Sequence, residues 1–304
     1  MQKKLLFLIN PKAGHTEIRS NLLEVLEILS SGDYAVSIYT TKGPKDLTRK
    51  IIESGEDCDM VVCAGGDGTF NEAISGLMPL KNRPILGYIP AGTTNDVGAT
   101  LGLSRNPVQA ARDIMRGDAF KMDVGAFGEG RYFGYVAAFG LFTGVPYETP
   151  QEDKRILGKV AYLINGAKAL SEAKGTHVCV TADGKTEELD VVDGLVCSTL
   201  SVGGFKVGGD LGVSLNDGKA EVILIRDLKN VMDFNNVASS LVRRDFQSES
   251  FVTLQTGKVH FSFREPVAWT VDGEFGGVHR EVDIQMHREA VTVMVPKQKT
   301  EETP

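Results

Sequence analysis

AGGDGTFNE, residues 64–72, sets three glycines around one aspartate, directly after an apolar run and directly before a helix-like one. Missing side chains permit either a sharp turn or backbone N–H groups brought close to an anion. The flanking sequence bears on the choice. LLFLI (5–9) is a short continuous apolar run, as a parallel strand covered on both faces needs. Ile18, Leu22, Val25, Leu26 and Leu29 then share one helical face, and Gly32 supplies a stop. AVSIYT (35–40) reads as a strand, Asp46 to Glu53 as a helix, DMVVCA (59–64) as a strand, Asn71 to Met78 as a short helix and ILGYI (85–89) as a strand. Strands alternating with helices imply a parallel sheet with right-handed crossovers.

After about Asp123 the texture changes. FGYVAAFG, THVCVTA, ELDVVDGLVCST, AEVILIR, FVTLQT, KVHFSF, VAWTV, REVDIQM and VTVMVP are strand-like and separated by Gly, Asp and Asn turns. Helical segments interrupt them near 154–172 and 229–243. The predicted fold class is α/β, with an N-terminal doubly wound parallel-sheet nucleotide-binding domain over 1–122. A C-terminal, mostly antiparallel domain of β-sandwich type follows over 123–287. The last strand, about 288–298, can rejoin the first domain, and the polar KQKTEETP tail is expected to be disordered.

The 304 residues suffice for two cores. A net charge of −7 argues against a nucleic-acid partner and against adsorption to anionic lipid by charge alone, so any membrane contact must be local. No apolar run reaches 18 residues, and MQKKLLFLINPKAG breaks too early, at Asn10-Pro11, for a signal peptide. Cys58, Cys63, Cys179 and Cys197 show no metal-like spacing. Cys63 and Cys197 lie in apolar runs, which makes them buried thiols suited to a reducing cytoplasm. The five histidines are scattered, with no partner at i+4.

In open parallel sheets, ligands collect at the carboxyl ends of strands. NPKAG (10–14), AGGDGT (64–69) and PAGTTND (90–96) each follow a strand and precede a helix, so together they can form one anion-binding wall. GxxxxGK[ST], the GxGxxG dinucleotide fingerprint and the protein-kinase signature set are all absent.

NPKAG, GGDGTFNE and RPILGYIPAGTTND, followed by SVGGF (201–205), SLNDGKAEVILI (214–225) and VDGEFGG (271–277), resemble the diacylglycerol kinase family in order and spacing. The similarity is to its bacterial soluble members and runs from residue 3 to about 297. It implies an ATP- and Mg²⁺-dependent lipid kinase acting at a membrane surface, with diacylglycerol the expected substrate and phosphatidic acid the product. Anionic phospholipid is an expected partner surface, the location would be cytoplasmic and peripheral at the inner membrane face, and a homodimer is compatible with the family. A kinase for another lipid alcohol, or a weakly active or non-catalytic binding homologue, is the rival reading.

By the same resemblance, nucleotide would meet Asn10, Pro11, Lys12, Ala13, Gly14 and Thr41, then Gly65, Gly66, Asp67, Gly68, Thr69, Asn71 and Glu72, then Thr93, Thr94 and Asn95. Asp67 close to phosphate would cost roughly 4 kcal/mol at 4 Å and an effective dielectric near 20, so the motif implies a divalent cation between them. Thr69 and Asn95 also suit helix capping. Glu274 is the implied base, with Asp272 the alternative or metal partner; their spacing puts both on one strand face. Asp217 is the expected Mg²⁺ ligand, with backbone carbonyls from Ser214 and Lys219, although Asn-Asp-Gly is equally a turn sequence. Where the bacterial relatives tend to carry cations, this chain has His15 and Asn165, with Lys168 one turn later. KRILGKVAYLINGAKAL (154–170) is a basic amphipathic segment that suits either an anionic interface or its own domain.

Overall fold

The computed structural model describes residues 2–12, 17–140, 175–199, 201–202, 205–206, 213–243 and 245–297. Ala13, Gly14, His15 and the 154–170 segment lie outside them. The chain divides into two compact units, Met1–Val124 with Glu289–Pro304, and Gly125–Arg288.

In the first unit the order is β1 (Lys3–Ile9), α1 (Glu17–Ser20), α2 (Leu22–Ser30), β2 (Tyr34–Thr40), α3 (Asp46–Ser54), β3 (Met60–Gly65), α4 (Asp67–Leu77), β4 (Ile85–Pro90), α5 (Asp96–Thr100), α6 (Pro107–Arg116) and most of β5 (Asp118–Phe127). The strands lie in the order β2-β1-β3-β4, all parallel, and Val293 of the last strand pairs beyond β4 with Leu86. Every residue of β3 is buried, which explains its uninterrupted apolar sequence. Leu5, Phe7 and Ile9 pack with Val25 and Leu29 of α2 and with Val108, Ala111 and Ile114 of α6. On the other face Phe70 of α4 meets Tyr88 of β4, ring centroids 5.0 Å apart. Helices therefore cover both faces. The start of α6 is fixed locally: Asn106 accepts from the Gln109 N–H and Pro107 occupies the first turn.

The strand registers matter for function. Ile9 pairs with Thr40 and Ala64, and Ala64 pairs with Ile89. Four connections, beginning at Asn10, Thr41, Gly66 and Ala91, thus leave one edge of the sheet at one level. The order reverses between β1 and β3, the switch point where open α/β sheets take ligands.

In the second unit follow β6 (Tyr132–Phe133), β7 (Val136–Gly140), β8 (Thr176–Ala182), β9 (Lys185–Cys197), β10 (Ser201–Val202), β11 (Phe205–Lys206), β12 (Ala220–Arg226), α7 (Val231–Arg243), β13 (Phe251–Thr256), β14 (Lys258–Val271) and β15 (Glu274–Val295, whose end belongs to the first unit). Among the described residues, β7 to β15 pair with one another antiparallel. β13, β12 and β9 are neighbours, and β7 and β8 each pair with both β9 and β14. β15 lies on the far side of β14, and β5 beyond it pairs with β6. Among the described residues, apart from the small β10-β11 pair, hydrogen bonding joins these strands without a break. The long strands account for this: thirteen residues of β9 and fourteen of β14 accept two short strands each.

KVHFSF and VAWTV, which read as separate strands, are one strand with a register shift between Ser262 and Val267, where Arg264, Glu265 and Pro266 intervene. The core of this unit gathers Phe139, Phe261, Phe263 and Trp269, with Phe139–Trp269 centroids 4.7 Å apart and Phe139–Phe263 4.9 Å apart. Each such buried ring contributes roughly 1.5–3 kcal/mol. Cys63 and Cys197 are buried and unlinked, as their apolar surroundings foretold. Among the described residues no helix is long and apolar enough to cross a membrane.

Candidate active site

In the parallel unit the loops at the carboxyl edge are stitched to one another. Asn10 accepts the Lys12 N–H through Oδ1 and donates from Nδ2 to Thr69 Oγ1 at 3.1 Å, which joins the first loop to the second. The Ala91 N–H donates to Gly65 O at 2.7 Å, joining the second to the third. There the two backbones come so close that a Cβ on Gly92 would stand 2.6 Å from Gly66 Cα, so only glycine fits. Thr41, buried at the end of β2, donates its N–H to Ile9 O.

The glycine-rich loop is shorter than the sequence suggests. α4 already begins at Asp67, with Gly66 as its N-cap and no side chain capping it. Gly68 and Thr69 therefore belong to the first turn of an eleven-residue helix whose N-terminus opens on the loop edge. Such a terminus presents N–H groups and a positive dipole end to an anion.

The Asp67 carboxylate accepts the N–H groups of Asp96 and Val97, each at 3.2 Å, and so anchors the start of α5. Burial pushes its pKa up, and the backbone donors at Val97, Asp96 and Asn95 oppose that rise. Asn95, buried at φ 54°, folds the third loop on itself: Oδ1 accepts from Gly92 N and Nδ2 donates to Gly92 O, both at 2.8 Å. Thr93 and Thr94 remain exposed above this frame, and Arg105 donates to Thr94 O. Glu72 ties α4 to the connection that follows β2. Its carboxylate accepts the N–H groups of Lys45 and Leu47 at the start of α3, and its carbonyl accepts the Thr48 hydroxyl. Asn71 is half-buried in the second turn of α4.

The VDGE stretch is a hairpin in the second unit. β14 ends at Val271, β15 starts at Glu274, and these two residues pair. Asp272 and Gly273 between them have φ 48° and 80°, the turn an Asp-Gly pair favours. Asp272 and Glu274 consequently do not share a strand face. Asp272 is buried, and its carboxylate accepts three N–H groups: Gly134 at 2.7 Å, Tyr135 at 3.1 Å and Val136 at 2.9 Å. Its own N–H donates to Val136 O at 2.8 Å. A carboxylate held by three amides fixes the hairpin to the start of β7. Glu274 is exposed at the strand mouth.

The 214–219 loop is a turn in which Asp217 Oδ1 accepts the Lys219 N–H at 2.9 Å and Ser214 Oγ donates to Asn216 Oδ1. Among the described residues no cluster of three His, Cys, Asp or Glu side chains is placed to hold a metal. Close by is a residue that motif reading missed. Glu221 is buried on β12; Oε1 accepts from Gln255, while Oε2 has no hydrogen-bond partner. Burial raises its pKa first of all, and the charge of Asp217 adds to the rise. Asp123 was likewise missed: fully buried, it accepts the Glu289 N–H at 2.6 Å inside the first unit. Nothing in one sequence marks a lone strand carboxylate as a backbone acceptor.

With this geometry in view, the comparisons with known proteins assign the class. Residues 4–127 match the family described as Diacylglycerol kinase catalytic domain. The protein is a lipid kinase. Over the full chain it is 33% identical to a diacylglycerol kinase of Bacillus subtilis (strain 168), covering 99% of each sequence. It is 31% identical to the diacylglycerol kinase of Staphylococcus aureus (strain MRSA252), covering 91% of this chain and 88% of that one. A crystal structure of a diacylglycerol kinase from Bacillus anthracis str. Sterne superposes with a TM-score of 0.81 at 26% identity, over 96% of this chain and 97% of that one. The chain belongs to the diacylglycerol kinase family.

Proposed function

We propose that the protein transfers the γ-phosphoryl group of ATP to the hydroxyl of diacylglycerol, forming phosphatidic acid, at the cytoplasmic face of a membrane. The observation that carries this reading is the pairing of functions within one motif set: glycine loops and an uncapped α4 N-terminus for phosphate, and an exposed Glu274 for the alcohol. In this mechanism the phosphates lie against the Gly65–Gly66 and Gly92–Thr94 backbone, with the Thr93 and Thr94 hydroxyls as further donors. Asn10 and Thr69 keep the first two loops together. Glu274 orients the lipid hydroxyl and accepts its proton as the new O–P bond forms and the bond from the γ-phosphorus to the β-γ bridging oxygen breaks. Asp67 and Asp272 each brace the backbone of their own unit.

A divalent cation at the 214–219 loop is supported by the Asp217 carboxylate there and by the buried Oε2 of Glu221 close by, which has no hydrogen-bond partner. Asp217, with the carbonyls of Ser214 and Lys219, would hold it. Mg²⁺ held there would supply structural charge neutralisation, and Mg²⁺ bound with ATP would offset the phosphate charge.

The test is transfer of label from γ-labelled ATP with Mg²⁺ to diacylglycerol in mixed micelles, beside a total lipid extract. Labelled phosphatidic acid is the expected product. Label in a different lipid alone would replace the substrate, and ATP binding without transfer would favour the non-catalytic homologue.

A further inference from the structure

We infer that Phe275, Val278 and Ala268 form a membrane-docking patch beside Glu274, inserting into the boundary between lipid headgroups and acyl chains; this rests on the lipid-kinase reading above. Six large hydrophobic side chains are exposed among the described residues, and two of them, Phe275 at 57% and Val278 at 56%, stand three positions apart in the strand that Glu274 opens. In a regular strand residues three apart point to opposite faces. Here Trp269 pairs with Gly277 and Thr270 with Phe275, so Gly276 is an extra residue in β15. The bulge resets the alternation. Phe275 opposite Thr270, and Val278 opposite Ala268, consequently share a face, and Ala268 on that face is exposed too. Pro266 extends the exposed apolar edge along β14.

The surrounding charge suits an anionic lipid surface. Arg280, two residues beyond Val278 and on the same face, is 60% exposed, and its pairing with Glu265 at 3.7 Å is loose. Arg131 donates to the Phe275 carbonyl at 2.8 Å, which holds a second guanidinium against the backbone of this segment. An aromatic and an aliphatic side chain flanked by arginines is the composition that settles at the headgroup level, where the stems bury and the charges stay wet. Glu274 pairs with Val271 and faces the other way from Phe275. The carboxylate is thereby kept out of the acyl layer, at the depth where a diacylglycerol hydroxyl lies. In a protein of net charge −7, such a patch gives the local contact that overall charge cannot.

The experiment is flotation of the full chain with vesicles of phosphatidylcholine, phosphatidylglycerol and diacylglycerol, together with rates on those vesicles and on a water-soluble short-chain diacylglycerol. The double variant Phe275→Ser, Val278→Ser is expected to lose about tenfold or more in vesicle partitioning and vesicle rate, with the short-chain rate kept. Leu23→Ser with Ile52→Ser, exposed apolar positions of the other unit, is expected to behave as the parent. Phe275→Trp, which suits the interface at least as well, should retain or raise flotation, and so guards against a folding defect in the serine variant. Undiminished flotation of the serine variant, or a tryptophan variant that floats no better than the serine one, overturns the docking patch. A parent chain that phosphorylates neither form of diacylglycerol overturns the catalytic reading instead, and flotation still decides the patch.

Discussion

The loop edge of the parallel unit and the hairpin of the antiparallel unit both carry an acidic motif, yet they use their acids differently. At the loop edge Asp67 accepts the N–H groups of Asp96 and Val97, while Thr93 and Thr94 stay exposed. At the hairpin Asp272 is turned inward onto three N–H groups, but Glu274, two residues later, is left exposed. An aspartate in a recognisable motif is thus as ready to be a clamp for backbone as a chemical group. Its hydrogen-bond partners, more than its neighbours in sequence, separate the two uses. Under the proposed function, the first region receives the phosphates and the second offers the Glu274 carboxylate.

This contrast can be broken by substitution. The largest structural effect is expected from Asp272→Ala, which strands three buried amide donors and should cost about 3 kcal/mol or more. Thermal unfolding and turnover should fall together; an unchanged melting temperature would show that the clamp is idle. Gly92→Ala follows at about 1–3 kcal/mol, because its Cβ has no room beside Gly66. Nucleotide affinity, measured by titration calorimetry, should drop with it, whereas full affinity would mean that the third loop is not part of the phosphate wall.

Asp67→Asn is expected to destabilise the nucleotide-free protein by about 1 kcal/mol, through one lost acceptor at the start of α5. Were Asp67 only a phosphate or cation group, the nucleotide-free melting temperature would stay where it is. The smallest effect concerns the thiols. Burial pushes the Cys63 and Cys197 thiols well above their ordinary range, so at pH 8 they stay protonated. Labelling of both should be at least about tenfold slower than in denaturant, with no change in activity. Rapid native labelling would show that these strands open.

Much of the fold was legible because its signals are local. The four parallel strands follow from apolar runs, and the edge that gathers the loops follows from their alternation with helices. The start of α4 at Asp67 was not legible, since Gly68 is a poor helix former and disguises a first turn as loop. Nor was the continuity of β14 through Arg264, Glu265 and Pro266, residues that ordinarily end a strand. For the site, the sequence located the motifs but not their division of labour. Asp67 meets partners 29 and 30 residues away, Glu72 meets Lys45 and Leu47, and Asp272 meets donors 136 to 138 residues away. Such pairings exist only once the chain is folded. Glu221 and Asp123 carry no local pattern at all.

The account turns on Glu274 as the one acid of these two motifs left for chemistry. The most direct measurement is single-turnover phosphoryl transfer to diacylglycerol by Glu274→Gln beside the parent, with ATP affinity and melting temperature recorded on the same samples. A loss of roughly 100-fold or more in the transfer rate, about 2.7 kcal/mol of barrier, with affinity and stability retained, is the predicted result. A transfer rate equal to the parent's would contradict it and move the base elsewhere.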